Sequence, residues 1–179
     1  MKTKTEKQFD EAFKRCRDIF AKKLQDYGAS WRIMRSESIT DQLFIKAKRI
    51  RTIETTGEAR VNEGVLPEFM AIVNYGIVGL IQHEIGVADI PDMDTTQALE
   101  LYDRMADTSR ALMLDKNHDY GEAWRDMRVK SYTDFILTKI NRNKQIEDND
   151  GKTIVSEGAD SNLMDIINYA IFGIIKLTE

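Results

Sequence analysis

The chain has 179 residues, 42% of them apolar and 31% charged, with a net charge of −4. This balance excludes intrinsic disorder, and it argues against a protein that mainly coats duplex DNA, because that affinity comes from neutralising many phosphates. One cysteine, Cys16, and two histidines, His83 and His118, leave no disulfide framework and no thiolate zinc cluster, and they argue against an imidazole zinc site. Any metal is then a hard ion held by oxygens. The start, Met1 to Lys7, has no apolar core to follow it. The longest apolar run, Phe69 to Ile81, is too short for a membrane span and holds Asn74, so a cytoplasmic protein is expected.

In chain order, Phe9, Phe13, Cys16, Ile19 and Phe20 recur at helical spacing and predict an amphipathic helix over residues 4–24. Gln25 to Ser30 reads as a turn around Gly28, and Trp31 to Met34 as a short helical piece. Thr40, followed by Asp41, has the chemistry of an N-cap for a helix running to Glu54. Thr55 to Gly64 is a polar loop. Pro67 suits a first helical turn, and Phe69 to Gln82 is apolar nearly all round, as a central helix should be. Gly86 to Asp94, with Pro91, links this set to a second one: a helix over Thr95 to Leu114, a turn over Asn117 to Ala123, a helix opened by Thr133 and ending near Glu147, a loop over Asp148 to Gly158, and an apolar helix over Leu163 to Leu177.

The two sets are a tandem duplication. Asp26-Tyr27-Gly28-Ala29-Ser30-Trp31-Arg32-Ile33-Met34-Arg35 returns as Asp119-Tyr120-Gly121-Glu122-Ala123-Trp124-Arg125-Asp126-Met127-Arg128, at an offset of 93 residues. The register runs on through Thr40/Thr133, Lys46/Lys139, Arg49/Arg142 and Glu54/Glu147. After a one-residue slip in the loops, an offset of 94 aligns Glu63/Glu157, Gly64/Gly158, Asn74/Asn168, Tyr75/Tyr169 and Gly79/Gly173. Between 26 and 54, 14 of 29 positions are identical, against about one in fifteen by chance. The pattern predicts an all-α protein of two tandem helical repeats packed as a pseudo-twofold bundle. Residues 1–86 and 95–179 form the repeats, 87–94 the linker, and the core is shared.

Several residues could carry chemistry. Lys46 and Arg49 fall on the apolar side of their helix among Leu43, Ile50 and Ile53, and Lys139 and Arg142 repeat this among Ile136, Ile140 and Ile146. Cations placed there need acids or a bound anion, and Glu54 and Glu147 are the acids nearest in register. An internal charge network satisfies them as well as a ligand does. Arg32/Arg125 and Arg35/Arg128, three apart on one helical face, suit phosphate oxygens or a solvated face. Tyr27/Tyr120, Trp31/Trp124 and Tyr75/Tyr169 can stack on a base or fill the core. Asn74 and Asn168 interrupt apolar helices and need partners. Asp165 stands where the first copy has Ala71, and Asp160, also confined to the second copy, has the chemistry of an N-cap.

The Asp-Tyr-Gly-x-x-Trp-Arg-x-Met-Arg words, followed by Ser-x-Thr-Asp-x4-Lys-x2-Arg, Glu-Gly and a Met-x-Ile-x-Asn-Tyr helix, resemble the first nucleotide-modification-associated domain family. The resemblance covers roughly 22–82 and 115–176. It implies an all-helical protein of bacteria or phages, linked by context to nucleotide or DNA-base modification. A more distant likeness is to the all-α nucleoside triphosphate pyrophosphohydrolases of the MazG type, through Asp165-Ile166-Ile167-Asn168, although their Glu-x-x-Glu pair is absent from both copies. That likeness implies metal-assisted hydrolysis, with Glu157, Asp165 and Glu147 holding Mg²⁺ and Lys139 and Arg142 neutralising phosphate charge. The expected ligand is a small nucleotide or nucleotide-like phosphate. Net charge does not favour nucleic acid, and no membrane partner is expected. The alternatives are a non-catalytic module that recognises a modified nucleotide or nucleic acid, and a purely structural duplicate.

Overall fold

The computed structural model describes residues 1–59, 64–153 and 158–179. Among them are six α-helices and two 3-10 turns, and no strand. The helices are α1 (Lys4–Tyr27), α2 (Ser36–Thr56), α3 (Leu66–Ile85), α4 (Thr95–Tyr120), α5 (Val129–Asp148) and α6 (Ala159–Thr178). No described helix is long and apolar enough to cross a membrane.

The leading helices of the two repeats start and stop by the same devices. Thr3 and Glu6 form a capping box at α1, and Asp94 and Gln97 form one at α4, so two otherwise orphaned N–H groups are satisfied at each start. Both helices then run further than their apolar pattern suggests, α1 by about a turn to Tyr27 and α4 by nearly two turns to Tyr120. They stop at Gly28 (φ 65°) and Gly121 (φ 57°), where the glycine N–H closes on the carbonyls of Leu24 and Asn117.

The second helices correct an expectation. Thr40 and Thr133 are not N-caps: α2 and α5 open one turn earlier, directly after the 3-10 turns Ser30–Ile33 and Ala123–Asp126, and both threonines lie buried inside the helix. Their hydroxyls cross the molecule instead. Thr40 Oγ1 donates to Glu147 at 2.6 Å, and Thr133 Oγ1 donates to Glu54 at 3.0 Å. The two bonds exchange equivalent residues between repeats, which is what a pseudo-twofold axis requires, and they set α2 and α5 antiparallel.

Each repeat contributes one helix to each of three layers. The middle layer is the antiparallel pair α3 and α6, buried almost all round, as their sequences demand. On one side lie α2 and α5, which close a four-helix ring with the central pair; on the other lie α1 and α4. One hydrophobic cluster runs through both repeats, from Phe9 and Leu43 to Ile140 and Ile175. Two close approaches let the central helices meet. A Cβ at Gly76 would lie 2.6 Å from Ile167 Cγ1, and one at Gly173 would lie 3.1 Å from the Phe69 ring.

Candidate functional site: twin pockets, one per repeat

Each repeat encloses a pocket between its first helix, its 3-10 turn and its central helix. The first, about 590 Å³, is lined among others by Lys23, Tyr27, Trp31, Met34, Lys46, Glu68, Ala71, Asn74 and Tyr75. The second, about 430 Å³, is lined among others by Lys116, Tyr120, Trp124, Met127, Lys139, Asp165, Asn168 and Tyr169. Apart from Glu68, these residues correspond position by position under the duplication, so the internal repeat carries a repeated site. Lys23 and Lys116 escaped the sequence reading. Their identity at the same offset is the signal that could have found them.

In the second pocket the charges are arranged around Asp165, which is buried. Its Oδ1 accepts from Lys116 Nζ at 2.7 Å, and its Oδ2 lies 3.0 Å from Lys139 Nζ. Both carboxylate oxygens are thus taken by ammonium groups. Asn168 donates from Nδ2 to the Ser109 carbonyl at 3.0 Å, while its buried Oδ1 has no hydrogen-bond partner. The Trp124 ring is stacked on Phe172 at 4.5 Å, and the Arg125 guanidinium sits over it at 4.4 Å from the centroid. With Phe172 and Arg125 against it, the Trp124 ring follows the core-packing alternative of the two that the sequence allows. Its Nε1–H is buried and also lacks a hydrogen-bond partner.

The first pocket keeps the lysine and tryptophan but moves the acid. Lys46 Nζ is 3.6 Å from Glu68, a buried carboxylate that also meets Arg49 at 3.2 Å. Asn74 repeats the Asn168 bond, donating to the Cys16 carbonyl at 3.1 Å. Its Oδ1, however, accepts from Tyr102 at 2.7 Å. The equivalent of Tyr102 in the other repeat is Phe9, which has no hydroxyl, and this is why the Asn168 oxygen is left alone. Tyr27 and Tyr120 stand at the pocket rims, 71% and 70% exposed, with their rings open to a ligand.

Several expected site residues are elsewhere. Arg32 is not a phosphate hand. It is buried, and it donates to Asp92 at 2.8 Å, to the Gly86 carbonyl at 2.6 Å and to Gln82, tying the 3-10 turn to the linker. Arg125 likewise serves packing: it donates to Thr5 at 2.6 Å and Gln8 at 2.8 Å. Arg35 and Arg128 hold the exposed N-cap positions of α2 and α5, so they do not share a face with Arg32 and Arg125. Arg142 is exposed rather than buried, because its neighbour Asn143 takes the inward position and bonds Asn162 at 2.9 Å.

Glu54 and Glu147 do not answer the lysines of their own repeats. They serve the threonines of the other repeat, and Glu147 also accepts from Ser36 at 2.6 Å. The expected magnesium set is therefore not brought together by the described residues: Asp165 and Glu147 belong to different networks, and Glu157, like its counterpart Glu63, lies outside those residues. Among the described residues no three acids, histidines or cysteines converge for a metal. Ser36 also sits 3.2 Å from His83 Nε2, and His83 Nδ1 is 2.6 Å from Asp160. This series has the outline of a nucleophile relay, but the one proton of Ser36 points to Glu147, and none of the three lines either pocket.

A duplicated all-helical bundle with a polar, lysine-bearing pocket in each repeat is the class that fold and site define. The chain belongs to the family described as nucleotide modification associated domain 1, which matches it twice, over residues 23–83 and 116–177. No curated protein and no solved structure matches it.

Proposed function

We propose that this protein binds nucleotides in its intra-repeat pockets, with anionic oxygens on the lysines and the base against the rim tyrosines. One observation carries the reading. Among the described residues, four buried side-chain atoms lack a hydrogen-bond partner, Trp31 Nε1, Glu68 Oε2, Trp124 Nε1 and Asn168 Oδ1, the Glu68 oxygen facing Lys46 at 3.6 Å, beyond hydrogen-bond reach, and all four belong to residues lining the two pockets. Buried polar groups are otherwise satisfied almost without exception, so orphans gathered in pockets point to a ligand that completes them. Each pocket contributes one donor and one acceptor, the pattern that meets the mixed donor and acceptor edge of a nucleobase. The family description supports the ligand class.

Titration calorimetry with deoxynucleoside mono-, di- and triphosphates tests the reading. Binding by at least one nucleotide, weakened at least tenfold in the double variant Trp31→Phe and Trp124→Phe, is expected. Absence of heat and of any melting shift across the panel would remove it.

Of the expected magnesium ligands, Asp165 is neutralised by two ammonium groups and Glu147 is bonded to a hydroxyl across the bundle, which favours binding over a magnesium centre. Magnesium-dependent pyrophosphohydrolysis is the competing reading. Release of pyrophosphate by the same panel, dependent on Mg²⁺ and lost in Asp165→Asn, would put hydrolysis in place of simple binding.

A further inference from the structure

The two pockets share their lysines but not the position of their acid. Asp165 of the second pocket corresponds to Ala71 of the first, and Glu68 of the first corresponds to Asn162 of the second. Between the repeats the acid has moved three residues, close to one helical turn. The consequence is electrostatic. In the second pocket the carboxylate lies between Lys116 and Lys139, 2.7 and 3.0 Å away, and takes one ammonium on each oxygen. In the first pocket Lys46 turns to Glu68 at 3.6 Å, which Arg49 shares, and Lys23 is exposed with no acid partner among the described residues. The side chain facing the pocket at position 71 is a methyl group.

A carboxylate held by two lysines has the charge and the donor set of a bound phosphate oxygen pair. We propose that the second pocket carries its own anion, Asp165, and is thereby closed to phosphorylated ligands, so that a nucleotide phosphate binds only in the first pocket, on Lys23 and Lys46. The inference rests on the nucleotide-binding reading and narrows it to one anion site per chain. At the second pocket an incoming phosphate meets a carboxylate that already takes both lysines, whereas at the first the carboxylate, Glu68, is shared by Lys46 and Arg49 and leaves Lys23 without an acid partner among the described residues.

The protein supplies its own reporters, since Trp31 and Trp124 are its only tryptophans and each lines one pocket. Trp124→Phe leaves a reporter of the first pocket, and Trp31→Phe a reporter of the second. Titrating each with the four deoxynucleoside triphosphates and with inorganic tripolyphosphate should change emission in the first variant and leave the second silent. Calorimetry on the tryptophan-intact chain should give about one site. Ala71→Asp should lower affinity at least tenfold. Asp165→Asn, which keeps the side-chain shape, should open a second site and raise the stoichiometry toward two, with a signal from Trp124 in the Trp31→Phe background. Moving the acid, by combining Ala71→Asp with Asp165→Asn, should move the site and not abolish it, which separates loss of binding from loss of folding. Two sites in the parent chain, an unaffected Ala71→Asp, or loss of binding in Asp165→Asn would overturn the division of labour while keeping the pockets as nucleotide sites. Silence of both reporters and no heat with any of the five probes would remove the nucleotide reading itself.

Discussion

A single hydroxyl distinguishes the two buried asparagines. Tyr102 reaches across from the second repeat to satisfy the Asn74 oxygen, while Phe9, its equivalent, packs against Asn168's repeat without a donor. Tyr102→Phe should therefore destabilise the protein by about 1–3 kcal/mol, because it strands a buried acceptor. Phe9→Tyr should raise stability by up to about 1 kcal/mol by mirroring the Tyr102 bond, and should weaken any ligand that donates to Asn168. Chemical denaturation of the two variants checks both signs; a neutral Tyr102→Phe would show that the bond is not made in solution. Arg32 makes the opposite case, a charge whose partners are all internal. Arg32→Met should cost about 1–3 kcal/mol while leaving nucleotide affinity unchanged, since it strands the Gln82 and Gly86 oxygens and touches no ligand. The sequence could show that both arginines of the repeated motif matter, but not that they point at the linker and at α1. Their partners, Asp92 of the linker and Thr5 of α1, lie outside the duplicated words, and the position of Thr5 holds Ala98 in the other copy.

At the scale of helices, the repeats are sewn together by carboxylates that each reach over to the other repeat's threonine. The Thr40 to Glu147 bond spans α2 and α5 in a half-buried seam, and a double-mutant cycle of Thr40→Val with Glu147→Ala should return a coupling energy of about 1–3 kcal/mol. Thr40→Val with Glu54→Ala should return none, because those two do not touch. Additivity in the first cycle would remove the seam as a source of stability. The central crossing is tighter still. Gly76→Val has to displace Ile167 in a filled core and should cost about 1–3 kcal/mol by denaturant midpoint. Element types, order and the central position of α3 and α6 were legible in the sequence because apolar periodicity reports burial directly. The helix starts were not. A threonine before an aspartate has the same chemistry whether it caps a helix or donates across one, and only the position of the opposite carboxylate decides between them. The pocket was half legible: the repeat exposed its tyrosines, lysines and asparagines, but the lysine at 23 and 116 precedes the conspicuous motif, and the pairing of Asp165 with two lysines depends on helix placement that no local pattern encodes.

For the whole molecule, Glu54 and Asp10 contribute to the pH dependence of stability in opposite directions. Burial holds the Glu54 carboxyl above the usual range, offset in part by the Thr133 hydroxyl, so its favourable contribution is full in acid and is lost as pH rises through its raised value. Asp10 is also pushed up by burial, but Arg110 and Lys2 overcome this and leave it lowered. Its contribution is present above the ordinary aspartate value and is lost as pH falls through the lowered one. Melting curves against pH should show Glu54→Gln flattening the upper limb and Asp10→Asn flattening the acid limb, each leaving the other in place. The shared core leads to the last expectation. Residues 94–179 alone would expose the face of α6 that packs on α3, an all-apolar surface built around Leu163, Ile167 and Ile171. A second copy of the same half could cover that face only by placing Ala170, the counterpart of Gly76, against Ile167. There a Cβ already falls 2.6 Å from Ile167 Cγ1, so the self-paired form is sterically blocked and the isolated half should aggregate. Co-expression with residues 1–86 restores the glycine and should give a soluble one-to-one complex. Ala170→Gly in the isolated half should open the same approach and yield a soluble homodimer. Light scattering and size-exclusion chromatography distinguish the three outcomes, and a stable monomer of residues 94–179 would show that the repeats are independent domains and that the pseudo-twofold core is dispensable.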